Sequence, residues 1–212
     1  MDELNKIYQK NMTLCLERIR AVKDFLKVFH TSSNIFYLES AILQLRKAME
    51  LIAYASIAPN RLQYENFRRK SQCNNDYRKD FNAAKIIKNL ESVNRDFYPI
   101  PLLDPIIKCD GTFHFERKEG DFLTLKNYIN LYDKLGKYLH ADNPWGNEKN
   151  LNDFVKTLPR KIEEIESLLA LYFTTIRAGD FLGVWVVKTS LDNISVEIIA
   201  GYAETDFLIN DV

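Results

Sequence analysis

Apolar residues recur at three- and four-residue spacing over five long stretches of the chain. This spacing places them on one side of a helix. We therefore predict helices over residues 3–29, about 35–58, about 75–93, 123–139 and from 150 or 152 to about 178. The second is apolar on most sides, which predicts the buried central helix of a bundle, and the third is predicted to bury Phe81.

Three other stretches have the character of strands or extended chain. The prolines of segment 97–105 exclude helix there, because proline fixes φ and restricts the residue before it. Asp110-Gly111 separates two short β-prone runs and predicts a hairpin with a type I′ turn. Segments 181–190 and 194–204 are rich in β-branched and aromatic residues, which predicts a second antiparallel hairpin.

These elements predict a mainly α fold of the α+β class. It consists of a helical bundle with a short internal β-hairpin and a C-terminal antiparallel β-hairpin. We divide the chain into a helical bundle domain, residues 1–178, and a C-terminal hairpin, residues 179–212. Because a lone hairpin is marginal in water, it must pack on the bundle, pair with the earlier hairpin or meet a partner chain.

Composition narrows the class of protein. The 212 residues are 46% hydrophobic and 27% charged, as in ordinary globular proteins, and Lys+Arg equals Asp+Glu at 29 each. The charge is uneven, since nine basic but four acidic residues lie between Arg61 and Arg95. This basic stretch could face phosphates or could be a solvated helix face.

The chain has few features of secreted, membrane or metal-binding proteins. Cys15, Cys73 and Cys109 are far apart, with no CxxC pair, which favours a reducing compartment. The start is polar, and no apolar run reaches the ~18 residues of a membrane span, so we expect a soluble cytoplasmic protein that does not bind membranes. We expect no metal site and no cofactor, because no ligand spacing or phosphate-binding loop occurs.

The first candidate site lies on the central helix. Glu39, Arg46 and Glu50 project from nearly one face, and charges on an apolar helix are costly unless they are paired. One interpretation is a structural Arg46–Glu50 ion pair. The functional interpretation makes Arg46 a phosphate anchor, because its guanidinium presents a planar fork of donors.

The second candidate site is the segment LGKYLHADNPWG, residues 135–146, which ends a helix at His140. A histidine can exchange a proton near neutral pH, and its neighbours include cations and polar groups that could bind a ligand, namely Lys134, Lys137, Asp142 and Asn143. The structural alternative is that His140 caps the helix carbonyls while Trp145 folds back on the bundle.

Two segments together carry a resemblance to known helical bundles. SAILQLRKAMELIAYASI (residues 40–57), with the later LGKYLHADNPW (residues 135–145), resembles bundles of bacterial proteins and, more distantly, the HEPN superfamily of helical ribonucleases and nucleotide-binding domains. Active members carry an arginine, four to six residues, and then a histidine that acts with it on an RNA phosphate. Here only Lys134 has a positive charge at the matching positions before His140, and Arg46 from another helix could supply the cation.

Two functions remain open from the sequence. The resemblance implies a HEPN-like RNA-directed protein, either a metal-independent ribonuclease with His140 and Arg46 as catalytic residues or an inactive nucleic-acid binder, in a toxin or phage-defence setting. The alternative is a non-enzymatic interaction or scaffold module, which forms a homodimer or recruits a partner protein through its C-terminal strands. The first requires Arg46 and His140 to share a site.

Overall fold

Helices form most of the chain in the computed structural model. It describes residues 2–70, 76–141, 143, 145–146, 150–178 and 181–202. The helices are α1 (Asp2–Ser32), α2 (Ile35–Ile57), α3 (Arg61–Arg69), α4 (Ala83–Val93), α5 (Leu125–Tyr138) and α6 (Leu151–Leu169). The predicted fold class, mainly helical with antiparallel β elements, is confirmed.

The central position predicted for the second helix is confirmed. The Asn34 side chain caps α2 by accepting a hydrogen bond from the Phe36 amide at 3.0 Å. The helix gives way at Ala58–Asn60 to a 3₁₀ turn that contains Pro59. α2 packs against α1, α4 and α5. Its buried residues are Leu38, Ala41, Ile42, Leu45, Ala48, Met49, Ile52, Ala53, Ala55 and Ser56.

The third predicted helix is shorter than expected. Tyr77–Lys79 form a separate 3₁₀ turn, and α4 begins only at Ala83 because the Asn82 side chain caps it. Phe81, in the extended link between them, is 77% exposed, so the prediction that it is buried is wrong. The helical spacing that included Phe81 crosses a break in the helix.

The proline-rich segment is extended, as predicted, and leads into the internal hairpin. It contains β1 (Ile100–Pro101), and the hairpin pairs β2 (Ile106–Ile107) with β3 (Phe113–His114). The predicted type I′ turn is wrong. Of Asp110 and Gly111, only Gly111 has a positive φ, at 82°, and the Lys108 amide donates to the Thr112 carbonyl. A hairpin loop whose single left-handed residue is glycine gives the same chain reversal without a left-handed Asp110.

The end of the last predicted helix is wrong. α6 stops at Leu169, and Leu171–Ala178 form strand β4. β4 pairs with β5 (Phe181–Ser190), which pairs with β6 (Ser195–Tyr202), so the predicted C-terminal hairpin is confirmed within a larger sheet. The order is β1-β4-β5-β6 and all pairs are antiparallel. The division at residue 178 stays a prediction; residues on both sides of it share one core.

The sheet packs on the helices through α1 and α6. Trp185 of β5 is 1% exposed and meets the Tyr8 ring edge to face at a centroid distance of 5.3 Å. The Tyr8 and Tyr172 hydroxyls hydrogen-bond at 2.5 Å, which ties α1 to β4. Arg20 of α1 donates to the carbonyls of Leu191 and Asp192 in the β5–β6 turn. Among the alternatives open from the sequence, the hairpin therefore packs on the bundle.

A buried polar network joins the ends of α2 and α4 to β4. The Asn94 side-chain amide donates to Asn60 Oδ1 at 2.9 Å and to the Thr175 carbonyl at 3.1 Å. The Thr175 hydroxyl donates to the Asp96 carbonyl at 2.8 Å. A buried side-chain amide without a hydrogen-bond partner destabilises the fold. This network therefore fixes the start of α3 and the end of α4 relative to β4. No helix in the described part of the chain combines the length and apolar character needed to cross a membrane.

The two tryptophans provide a test of this packing. Trp185→Ala should lower the free energy of unfolding by about 3–5 kcal/mol, because it leaves a cavity between α1 and the sheet. Trp145→Ala should change it by less than about 0.5 kcal/mol, because Trp145 is 94% exposed. Urea unfolding followed by circular dichroism measures both values. A small effect at Trp185 would contradict the packing of the sheet on α1.

Candidate functional site

Arg46 lies between α2 and α5. Its Nη1 donates to the Tyr132 carbonyl at 2.8 Å, and its guanidinium carbon lies 3.8 Å from the centroid of the Tyr132 ring. Its Nε is 3.6 Å from Glu50 Oε1, so the ion pair suggested by their spacing is present. The Arg46 side chain is 22% exposed and that of Glu50 26%. Arg46 therefore holds α5 against the central helix.

Gly136 makes room for this guanidinium. A Cβ atom added at Gly136 would lie 2.7 Å from Arg46 Nη1, which is closer than atoms in contact can approach. Glycine inside a helix costs about 1 kcal/mol relative to alanine. Here that cost permits the close approach of Arg46 to α5.

Tyr132 completes the contact from the α5 side. Its hydroxyl donates to Glu50 Oε1 at 3.0 Å, and burial raises the pKa of Tyr132 to about 12. The phenol therefore keeps its proton and remains a donor across the physiological pH range. Glu50 accepts this hydrogen bond and also forms the ion pair with Arg46. Sequence reasoning placed Tyr132 only on the apolar face of its helix. Gly136, one helical turn after Tyr132, was the one local sign in the sequence that another chain segment approaches α5 closely.

His140 follows the C-terminal end of α5. It lies on an exposed bend, four residues after Gly136, which corresponds to roughly 6 Å along a helix axis. Arg46 therefore touches α5 one helical turn before His140. In addition, Arg46 Nη2 has no hydrogen-bond partner among the described residues, so the guanidinium keeps donor capacity.

The remaining residues of the second candidate site have separate surroundings. Lys134 lies with its Nζ 4.9 Å from the centroid of the Phe154 ring, and Lys137 is exposed in the last turn of α5. Asn143 Oδ1 accepts a hydrogen bond from the Trp145 amide at 3.0 Å, while Asp142 lies outside the described residues. The expectation that Trp145 folds back on the bundle is wrong, since it is 94% exposed.

The basic stretch between Arg61 and Arg95 is organised around one buried ion pair. Arg68 Nη2 lies 2.9 Å from Asp80 Oδ1, with side-chain exposures of 4% and 9%. Asp80 also accepts a hydrogen bond from the Tyr64 hydroxyl at 2.8 Å. Because a buried carboxylate requires such partners, the pair fixes the link before α4 against α3.

Three arginines meet at an open cavity beside this pair. The cavity measures about 410 Å³, and it is lined by Arg61, Glu65, Arg69, Asp76, Tyr77 and Arg78. Glu65 pairs with Arg69 at 2.6 Å and Asp76 with Arg78 at 2.8 Å, whereas Arg61 has no ion-pair partner among the described residues. The hydrogen bond from Arg78 lowers the pKa of Asp76, so this carboxyl stays ionised. The lining therefore has one positive charge in excess.

A second cavity adjoins the first. It measures about 380 Å³ and shares Arg61, Tyr77 and Arg78 with it, while Glu3 and several apolar residues of α1 and α2 form the other side. The 3₁₀ turn that carries Tyr77 and Arg78 therefore borders two open cavities. A ligand longer than one phosphate group could extend along this turn.

Neither similarity to known proteins nor a cluster of metal ligands in the described part of the chain indicates a function. Comparisons with protein-family models, curated proteins and solved structures found no match for this chain. Within the described ranges, no three His, Cys, Asp or Glu side chains lie close enough together to hold a metal ion. The function therefore has to be inferred from the geometry of the described residues.

Gly136→Ala tests the contact between Arg46 and α5. In the wild-type background it should destabilise the protein by about 1 kcal/mol, because the added methyl group displaces Arg46 from the Tyr132 carbonyl. In an Arg46→Ala background the same change should stabilise by about 0.5–1 kcal/mol, because only the gain in helix propensity remains. Urea unfolding of the four proteins in this double-mutant cycle measures the difference. An effect of the same sign and size in both backgrounds would show that the two residues are not coupled.

Proposed function

We propose that this protein binds RNA, as a HEPN-like helical bundle that uses the surface of α3 and the link to α4. The observation that carries the proposal is that Arg61, Arg69 and Arg78, distant from Arg46 and His140 in the sequence, line one open cavity of about 410 Å³. Guanidinium groups bind phosphate oxygens in pairs through their planar forks of donors. A polyanion with exposed phosphates is the ligand that such a lining favours.

The charge distribution supports a local site. The whole chain has a formal net charge of +0, so no long-range field concentrates RNA around it. Two of the three arginines already have carboxylate partners in the free protein. A phosphate that binds Arg69 or Arg78 must therefore share the arginine with Glu65 or Asp76, or displace that carboxylate. This lowers the binding free energy gained from each contact. We expect weak binding that decreases steeply with salt.

RNA binding has more support than RNA cleavage. Two of the three guanidinium nitrogens of Arg46 already contact Tyr132 and Glu50, and these contacts hold α5 in place. Cleavage would require His140, on the exposed bend after α5, to exchange a proton while a cation neutralises the phosphate. Lys134, which takes the position of the arginine in active HEPN proteins, lies over the Phe154 ring instead.

Arg61→Ala tests the proposed RNA site. It should weaken binding of a fluorescent single-stranded RNA and reduce the slope of log affinity against log salt by about 0.7, because one phosphate contact is lost. Arg160→Ala is the control: it removes an arginine of α6 whose side chain is 76% exposed. Fluorescence anisotropy over about 50–200 mM salt measures both variants. Equal effects of the two changes, or no binding by the wild type at low salt, would contradict the proposal.

The same preparations decide between binding and cleavage. Intact RNA after prolonged incubation in a chelator supports binding alone. If wild type shortens the RNA in the presence of the chelator and His140→Ala leaves it intact, the protein is instead a metal-independent ribonuclease.

Self-association through β6 is the second candidate function. β6 is the last strand in the sheet order, and no described residue pairs with its other side. Its eight residues include one charged side chain, Glu197, and Ile199 is 68% exposed on the face away from the bundle. Long edge strands with few charges are sites at which a second chain can add to a sheet. This observation favours a homodimer over other partners, because antiparallel pairing of two β6 strands is self-complementary.

Ile199→Lys tests this candidate against a matched control. If β6 forms the dimer, wild type should sediment as a dimer and the variant as a monomer, because each copy would bring an added charge to the pairing strand. Ile107→Lys should leave the dimer unchanged, since Ile107 of β2 is equally exposed at 68%. Sedimentation velocity measures all three proteins. A dimer lost in Ile107→Lys but kept in Ile199→Lys would place the interface on the internal hairpin.

A further inference from the structure

Phe81 is a large aromatic side chain held in solvent between two anchored residues. It is 77% exposed, although exposure of a phenyl ring to water is unfavourable. Asp80 before it lies in the buried ion pair with Arg68, and Asn82 after it accepts the Lys85 amide at 3.0 Å as the cap of α4. Both neighbours have extended backbone angles. Since side chains alternate along extended chain, burial of Asp80 directs Phe81 outward.

Cations lie beside this ring. Phe81 borders a small cavity of about 120 Å³ together with Arg68, Lys79, Asp80, Asn82, Lys85 and Ile86. Asp80 neutralises Arg68, whereas Lys79 and Lys85 are exposed. The positive end of the α4 dipole lies at the same place. The ring is therefore surrounded by net positive charge.

The small cavity and the arginine-lined cavities are neighbours. Asp80 borders both the 120 Å³ cavity and the 380 Å³ cavity, and the latter shares Arg61 and Arg78 with the cavity of 410 Å³. The 3₁₀ turn Tyr77–Lys79, which includes Arg78, directly precedes Asp80 and Phe81 in the chain. A continuous strand of phosphates could therefore pass the arginines and reach the ring.

We propose that Phe81 stacks on an unpaired base of single-stranded RNA, while Lys79 and Lys85 bind the phosphates on either side of that base. This inference rests on the proposed RNA-binding function and specifies its substrate class. Stacking on an aromatic ring requires a base whose face is accessible, and bases inside a duplex are covered by their neighbours. Every base has such a face, so the site selects single strands without selecting a sequence.

Phe81→Ala tests the inference. The probes are a single-stranded RNA of about 12 nucleotides and a duplex of the same sequence. Phe81→Ala should weaken single-strand binding by about tenfold or more and leave duplex binding within about twofold, because only the stacking contact is lost. Phe81→Trp should retain single-strand binding. Phe36→Ala is the control: Phe36, at the start of α2, is 70% exposed and lies outside the three cavities.

The outcomes separate this inference from the function on which it rests. If wild type binds neither RNA, the proposed function fails and the inference fails with it. If wild type binds with steep salt dependence but Phe81→Ala binds single strands equally well, the inference alone fails. A change in sedimentation of Phe81→Ala with no change in RNA affinity would also overturn it, because the ring would then contact protein.

Discussion

Burial of one broad face of α2 is the constraint on which the structure depends. Ten of its residues are buried, so α1, α4 and α5 pack against this face. The exposed residues on the opposite side include Glu39, Leu43 and Lys47. The partly buried charged residues of this helix then require polar partners. Arg46 and Glu50 meet α5, where Tyr132 and the space at Gly136 provide partners and room. The ionic contact stabilises one orientation of α5, while the apolar contacts provide most of the binding between helices.

The sheet extends the same core and determines the position of the basic surface. Trp185 and Tyr172 meet α1, while Asn94 joins the ends of α2 and α4 to Thr175 of β4. α3 begins and α4 ends beside this network. The Arg68–Asp80 ion pair holds the link between the two helices against α3. The arrangement of arginines on the surface therefore follows from buried polar contacts at some distance from them.

Local signals in the sequence were sufficient to predict most helices and the two hairpins. Asn34 and Thr124 each cap a predicted helix, and Pro59 marks the end of α2. β4 was missed because Leu168, Leu169, Tyr172 and Ile176 follow helical spacing, although Tyr172 and Ile176 pair with β5. Of the candidate sites, the sequence indicated the Arg46–Glu50 pair and the basic stretch. It could not indicate the contact of Arg46 with Tyr132, 86 residues away, or the cavity that three arginines share. Such contacts depend on tertiary packing, which local spacing does not encode.

The two margins of the four-stranded sheet are chemically different. Along β4, segment 96–102 occupies the outer side, with the Leu102 amide bonded to the Leu171 carbonyl and the Thr175 amide to the Asp96 carbonyl. Pro101, which has no amide hydrogen, lies in that border strand. Fibre growth requires two free margins on every subunit. With that margin occupied by a strand that contains proline, a second copy added at β6 would end the sheet, and such an extension would stop at a closed pair.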